Sequence, residues 1–170
     1  RDRFEVYGFC WSREDGSAMR ARVVKSFDHY VRIADLDDAS AARRRLLKQA
    51  RKSGVVRHVG TGRNIWSNVH IEDVVALYLL ALTRNVPGTF YFVESGEASF
   101  IDMTTAIAHA LNLGQPQDWS LAEAEAEWGY EMANYGLGSN SRVRGKHARE
   151  LLGWVPKRTS VVEWIRHEMV

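Results

Sequence analysis

Cysteine is almost absent: Cys10 stands alone among 170 residues. A single thiol excludes an internal disulfide and cannot assemble a cysteine metal site, so the expected compartment is a reducing one, the cytoplasm. No apolar run approaches the roughly 20 residues needed to cross a bilayer. The opening Arg1-Asp2-Arg3 is unlike a signal peptide, and no membrane partner is expected. Charge of one sign is also lacking, the formal balance being +2. The one dense basic cluster, Arg43, Arg44, Arg45, Lys48, Arg51 and Lys52, reads as a solvated helix face rather than a phosphate site, so no nucleic-acid partner is expected. The six histidines, His29, His58, His70, His109, His147 and His167, show no paired helical spacing with an acid, which argues against zinc. No Gly-x-Ser-x-Gly elbow is present either.

What remains suffices for a core, with 45% hydrophobic and 11% aromatic residues in a chain of single-domain size. Residues 4–11 (FEVYGFCW) and 31–34 (VRIA) are strand-like, with a short helix over 16–25 between them. That β-α-β order belongs to a parallel sheet. N-cap residues at 37–40 precede a charged helix over 41–52 that stops at Ser53-Gly54. A strand over 55–59, a turn at Gly60-Thr61-Gly62 and an extended segment over 64–70 follow. Across 71–84 apolar residues cover most of the helical circumference, which predicts a deeply buried helix. Pro87-Gly88 leads into a predicted strand over 89–93 (TFYFV), then an amphipathic helix over 99–113 closed by Gly114. Three helical pieces over 121–134, 143–152 and 160–169 complete the chain, separated by Gly136, Gly138, Gly153 and Pro156.

Individual residues carry the functional reading. Asp73, in the first turn of the 71–84 helix, is placed to accept orphan backbone N–H bonds at the positive helix end. His70, just before that helix, suits either a ligand contact or a bond to a backbone carbonyl, the structural role being the commoner. Trp66 and Asn68 share one face of the extended segment, opposite Ser67 and Val69, because strand side chains alternate. They are the best candidates for lining a substrate pocket, with core packing an equal alternative for Trp66. Asp35, Asp37 and Asp38 read equally as a turn followed by a helix cap.

Three stretches carry a family resemblance: Gly60-Thr61-Gly62-Arg63-Asn64 with Trp66-Ser67, then Val69-His70-Ile71-Glu72-Asp73-Val74-Val75, then Ala148-Arg149-Glu150-Leu151-Leu152-Gly153-Trp154-Val155-Pro156. Together they resemble the substrate-binding half of an extended or atypical short-chain dehydrogenase/reductase, the NAD-dependent epimerase/dehydratase family. The resemblance implies that the first lies on a β-hairpin at the substrate pocket, the second opens a long helix and the third closes the C-terminal domain. It makes Arg142 and Lys146 candidate phosphate holders, with a plain surface role as the alternative. Residues 4–13 and 31–38 resemble the second and third strands of a dinucleotide-binding half. There the resemblance assigns Asp35 and Leu36 to adenine and Arg13 to the 2′-phosphate of NADP, with NAD the other implied cofactor.

The same family supplies two expectations that this chain does not meet. It has no Gly-x-x-Gly-x-x-Gly turn. None of Tyr7, Tyr30, Tyr78, Tyr91, Tyr130 and Tyr135 has a lysine four residues later, so the acid/base pair that serves the nicotinamide is missing and the catalytic residues stay unassigned. The expected fold class is α/β, a partial or reduced Rossmann-like parallel sheet with a mostly helical C-terminal substrate domain. Residues 1–42 are then a remnant of the nucleotide half and residues 43–170 the substrate-binding half. The implied function is a member or piece of an NAD(P)-dependent oxidoreductase, epimerase or dehydratase acting on a small organic or sugar-type substrate. The alternative is a non-redox protein on the reduced scaffold, such as a cyclase, a ligand-binding module or a regulator. An incomplete sheet exposes apolar edges, so a homodimer is expected.

Overall fold

A computed structural model describes residues 46–84, 86 and 89–168. The predicted β-α-β unit over 4–34, the boundary between 42 and 43, and the residues Arg13, Asp35 and Leu36 lie outside the described residues. Helix α1 (46–53) buries Leu46, Gln49 and Ala50 on one face. It ends where the sequence places the stop: Gly54 takes φ +71 and its N–H bonds back to the Ala50 carbonyl, the left-handed closure that glycine permits.

Strand β1 (Arg57–Val59) pairs in parallel with β4 (Gln117–Trp119), and β2 (Ile65–Asn68) pairs antiparallel with β3 (Gly96–Ser99). The fold is therefore mixed α/β with a small parallel sheet, as expected of a partial Rossmann-like arrangement. The chain leaves β1 and returns to its neighbour β4 only after α2 (Ile71–Arg84), β3 and α3 (Phe100–Ala110) have been laid down. Further on come α4 (Leu121–Trp128), a π-helical turn over Met132–Leu137, α5 (Lys146–Leu152) and α6 (Val161–Glu168).

Two apolar clusters hold these elements. The larger gathers Leu46 and Ala50 of α1, Val59 of β1, Phe100, Met103 and Ile107 of α3, Ala124 of α4, Leu137 of the π turn and Ile165 of α6. The second joins Leu77 of α2 to Ala148, Leu152 and Trp154, with Tyr91 and Val93 packed against it. Gly153, at φ +60, closes α5 and delivers Trp154 into that cluster, where it is 1% exposed.

Several expectations need correction. Residues 89–93 form no strand: from Tyr91 to Val93 no backbone group bonds to another described backbone group, and a strand exists only where a neighbour takes its N–H and C=O groups. The strand is instead Gly96–Ser99, weak in β-propensity but paired along its length with β2. Gly96 is required there, since a Cβ would lie 1.9 Å from the Thr159 carbonyl oxygen. Helix α3 starts where expected, with Ser99 as its cap, but it is closed by Asn112 at φ 54, short of Gly114. The single helix expected over 121–134 breaks at Gly129, whose φ is +84. Helix α2 has the predicted bounds but not the predicted burial: Val75, Leu79 and Leu82 are 50%, 59% and 61% exposed. Its apolar outer face has no cover among the described residues.

Candidate functional site

The β2–β3 hairpin is the centre of the candidate site. Residues 139–143 run alongside β2, with Ser67 N–H donating to the Ser141 carbonyl and Ser141 N–H to the Ile65 carbonyl. Asn64 fastens this segment by donating from Nδ2 to the carbonyls of Leu137 and Ser139, 3.0 Å each.

Trp66 donates from its indole nitrogen to the Ser139 carbonyl at 3.1 Å and stands edge-to-face on Phe100, ring centroids 5.1 Å apart. Asn68 donates from Nδ2 to the Trp66 carbonyl at 2.8 Å. The side-chain nitrogens of both candidates are thus engaged with backbone, and Trp66 joins the main core. Arg142 forks onto Glu97 through Nε (3.0 Å) and Nη2 (2.7 Å), and Arg144 reaches the same carboxylate at 2.8 Å. Glu97 is the register partner of Ser67, so the arginine pair lies over the strand face opposite Trp66 and Asn68. The structure thus places Trp66 with Asn68 and sets Arg142 apart from them. Hydrogen bonds from Arg144 and Arg142 hold the Glu97 carboxyl down at about 2.

His70 is the cap of α2. Its Nδ1 accepts the Glu72 N–H at 3.3 Å and its carbonyl accepts from Asp73 and Val74, which places the ring proton on Nε2 in the neutral form. Asp73 flanks the helix start as expected, but its carboxylate serves another segment: Oδ1 and Oδ2 accept the backbone N–H groups of Lys157 and Arg158 at 2.8 and 2.9 Å. The Trp154 indole donates to the Asp73 carbonyl at 3.0 Å. A second lock lies close by, where buried Glu94 accepts from Gly145 N–H and from Arg149, whose guanidinium lies 5.4 Å over the Trp154 ring. Glu94, Glu97, Arg144 and Arg149 were not legible as a set, because their partners lie 45 to 55 positions away.

Beside these locks lies a groove of about 550 Å³ lined by Thr89, Phe90, Phe92, Arg144, Lys146, His147 and Leu151. That size falls within the roughly 300–1,000 Å³ of small-molecule sites. Among the described residues no three His, Cys, Asp or Glu side chains are grouped to hold a metal, and no helix is long and apolar enough to cross a membrane.

The described residues do not fit a nicotinamide dinucleotide. Gly60-Thr61-Gly62 follows a parallel strand, but it leads into β2 rather than a helix N-terminus, and the space over Gly62 is filled by the His58 ring, 2.8 Å from where a Cβ would stand. A pyrophosphate needs bare backbone at a helix start. Two tyrosine hydroxyls also run against proton transfer near neutrality. The Tyr130 hydroxyl is raised by its hydrogen bond with Tyr135, and that of Tyr78 by burial, whereas an acid/base phenol needs lowering.

No protein-family profile matches the chain. It is 32% identical over 123 residues to Oxidase ucsJ of Acremonium sp., an alignment that covers 61% of this chain and 35% of that protein. The chain thus spans about a third of that relative's length. Its fold is similar to a functionally unknown conserved protein from Silicibacter pomeroyi, with TM-score 0.54 and 23% identity over 66% of this chain and 40% of that one. It is also similar to UDP-glucuronic acid 4-epimerase from Bacillus cereus in complex with NAD, with TM-score 0.54 and 17% identity over 75% of this chain and 35% of that one.

Proposed function

We propose that residues 43–170 are the substrate-binding half of an NAD(P)-dependent short-chain dehydrogenase/reductase scaffold, of the epimerase, dehydratase or oxidoreductase kind. The observation that carries this reading is the shared fold with an NAD-bound epimerase across three quarters of the chain, 75%; the 32% identity to an oxidase supports it. In this reading the hairpin of Trp66 and Asn68 and the His70-capped start of α2 form one wall for a small organic or sugar-type substrate, and Arg142 tethers the segment beyond it. Residues 1–42, with Arg13, Asp35 and Leu36, are the remnant of the nucleotide half, and NADP or NAD is the cofactor of the complete scaffold. A cytoplasmic homodimer is part of the same proposal.

The 170-residue chain does not carry out hydride transfer by itself. It lacks a tyrosine–lysine pair at the required spacing, and the described residues offer no pyrophosphate cradle. That observation also favours a second reading, in which the chain is a non-redox ligand-binding protein or cyclase-like enzyme on the same scaffold. Calorimetric titration of NADP and NAD into the chain, followed by an NADPH-consumption assay with aldehydes, ketones and nucleotide sugars, tests whether the chain transfers hydride by itself. Weak or absent binding without turnover is expected. Tight binding with turnover would overturn the assignment of this chain as a cofactor-poor half.

A further inference from the structure

We propose that the groove between residues 89–92 and α5 is a binding site for an amphipathic aromatic carboxylate, independent of any redox role of the scaffold. Its chemistry is divided. Phe90 and Phe92 stand edge-to-face with centroids 4.9 Å apart, and they remain 43% and 51% exposed. Leu151 adds a third apolar wall, 46% exposed. Two neighbouring phenyl rings arranged edge-on leave ring faces open, which is the surface an aromatic guest covers.

Among the described residues, the two that line the groove with a fixed charge are both basic, Arg144 and Lys146, and His147 stands beside them. Arg144 gives Nη1 to Glu97 and to the Val143 carbonyl. Lys146 is 3.7 Å from Glu150 with its side chain 73% exposed, a loose surface pair of little worth. His147 donates from Nδ1 to the Phe90 carbonyl at 3.3 Å, which ties α5 to the aromatic wall. Among the described residues none that lines the groove is acidic. An anion at the basic rim with its ring laid on the open faces of the phenylalanines therefore meets matched chemistry at both ends. A neutral aromatic meets it at one end only, and a compact inorganic anion at the other.

The test is calorimetric titration of 2-naphthoate into the 170-residue chain, with neutral 2-naphthol as its partner probe. Binding should be saturable with one site. Naphthol should bind at least about 10-fold more weakly, because it offers no carboxylate to the rim. Lys146→Ala should weaken naphthoate about 3- to 5-fold, whereas Lys52→Ala, on α1 and away from the groove, should leave it unchanged. Phe92→Ala should abolish measurable binding. Should that variant melt early, Lys146→Ala still decides, since that side chain is on the surface. Equal affinity for naphthol, equal losses in the two lysine variants, or no saturable binding at millimolar naphthoate would each overturn the proposal.

Discussion

The two faces of α2 differ more than any other pair of surfaces in the described part of this protein. The inner face carries Asp73 and Leu77, both buried, with Leu80 and Ala81 against Trp154, Ala148 and Leu152. The outer face carries Ile71, Val75, Leu79 and Leu82, all 45–61% exposed. Both faces are apolar. Hydrophobic patterning reports which surfaces favour a neighbour, while burial needs that neighbour to be in place. On the inner side it is in place, supplied by the loop and helices more than 70 residues further along the chain.

Substitutions on the locked side should be costly, beginning with the largest effect. Trp154→Ala removes a fully buried ring, its hydrogen bond to the Asp73 carbonyl and its contact with Arg149. A loss of about 3–5 kcal/mol is expected, read from the denaturant midpoint by circular dichroism. Asp73→Ala leaves the N–H groups of Lys157 and Arg158 without acceptors. The loss should be about 2–3 kcal/mol, larger than the roughly 1 kcal/mol of a simple helix cap. A loss near the lower figure would mean that the loop after Trp154 is not held by this carboxylate.

The Glu97 cluster sharpens the comparison in the opposite direction, because it is a close ion pair on an exposed surface. Arg144 and Arg142 lower its carboxyl from 4.5 to about 2. A depressed carboxyl stabilises the fold above its unfolded value, and that contribution is lost as pH falls from about 4.5 through about 2. A carbon-detected titration should therefore place the Glu97 midpoint near 2, moving toward 4.5 in high salt. Glu97→Gln should flatten this part of the acid limb of stability, a small effect for an exposed group. A midpoint already near 4.5 in low salt would show that the two arginines do not engage it.

These contrasts explain what was legible in the sequence. The bounds of α2 and the Gly54 stop are local: a few neighbouring residues determine them, and they occur as expected. The 89–93 segment misled because its β-propensity is real while no described residue pairs with it. The β3 strand was missed for the converse reason, since Gly-Glu-Ala-Ser has little intrinsic preference and acquires its conformation from β2. At the candidate site, Trp66 and Asn68 were correctly placed on one strand face. What could not be read was that their side-chain nitrogens go to backbone, or that Asp73 reaches forward to Lys157 and Arg158. Such long-range partners are set by topology and leave no periodic signal.

The most direct test of the account compares Leu77→Ala with Leu79→Ala, the same change two positions apart in one helix, so that helix propensity cancels. Equilibrium denaturation should give a loss of about 2–4 kcal/mol for Leu77, buried against Trp154 and Leu152, and under about 0.5 kcal/mol for Leu79 on the open face. Equal losses at the two positions would contradict the claim that α2 is anchored on one side only.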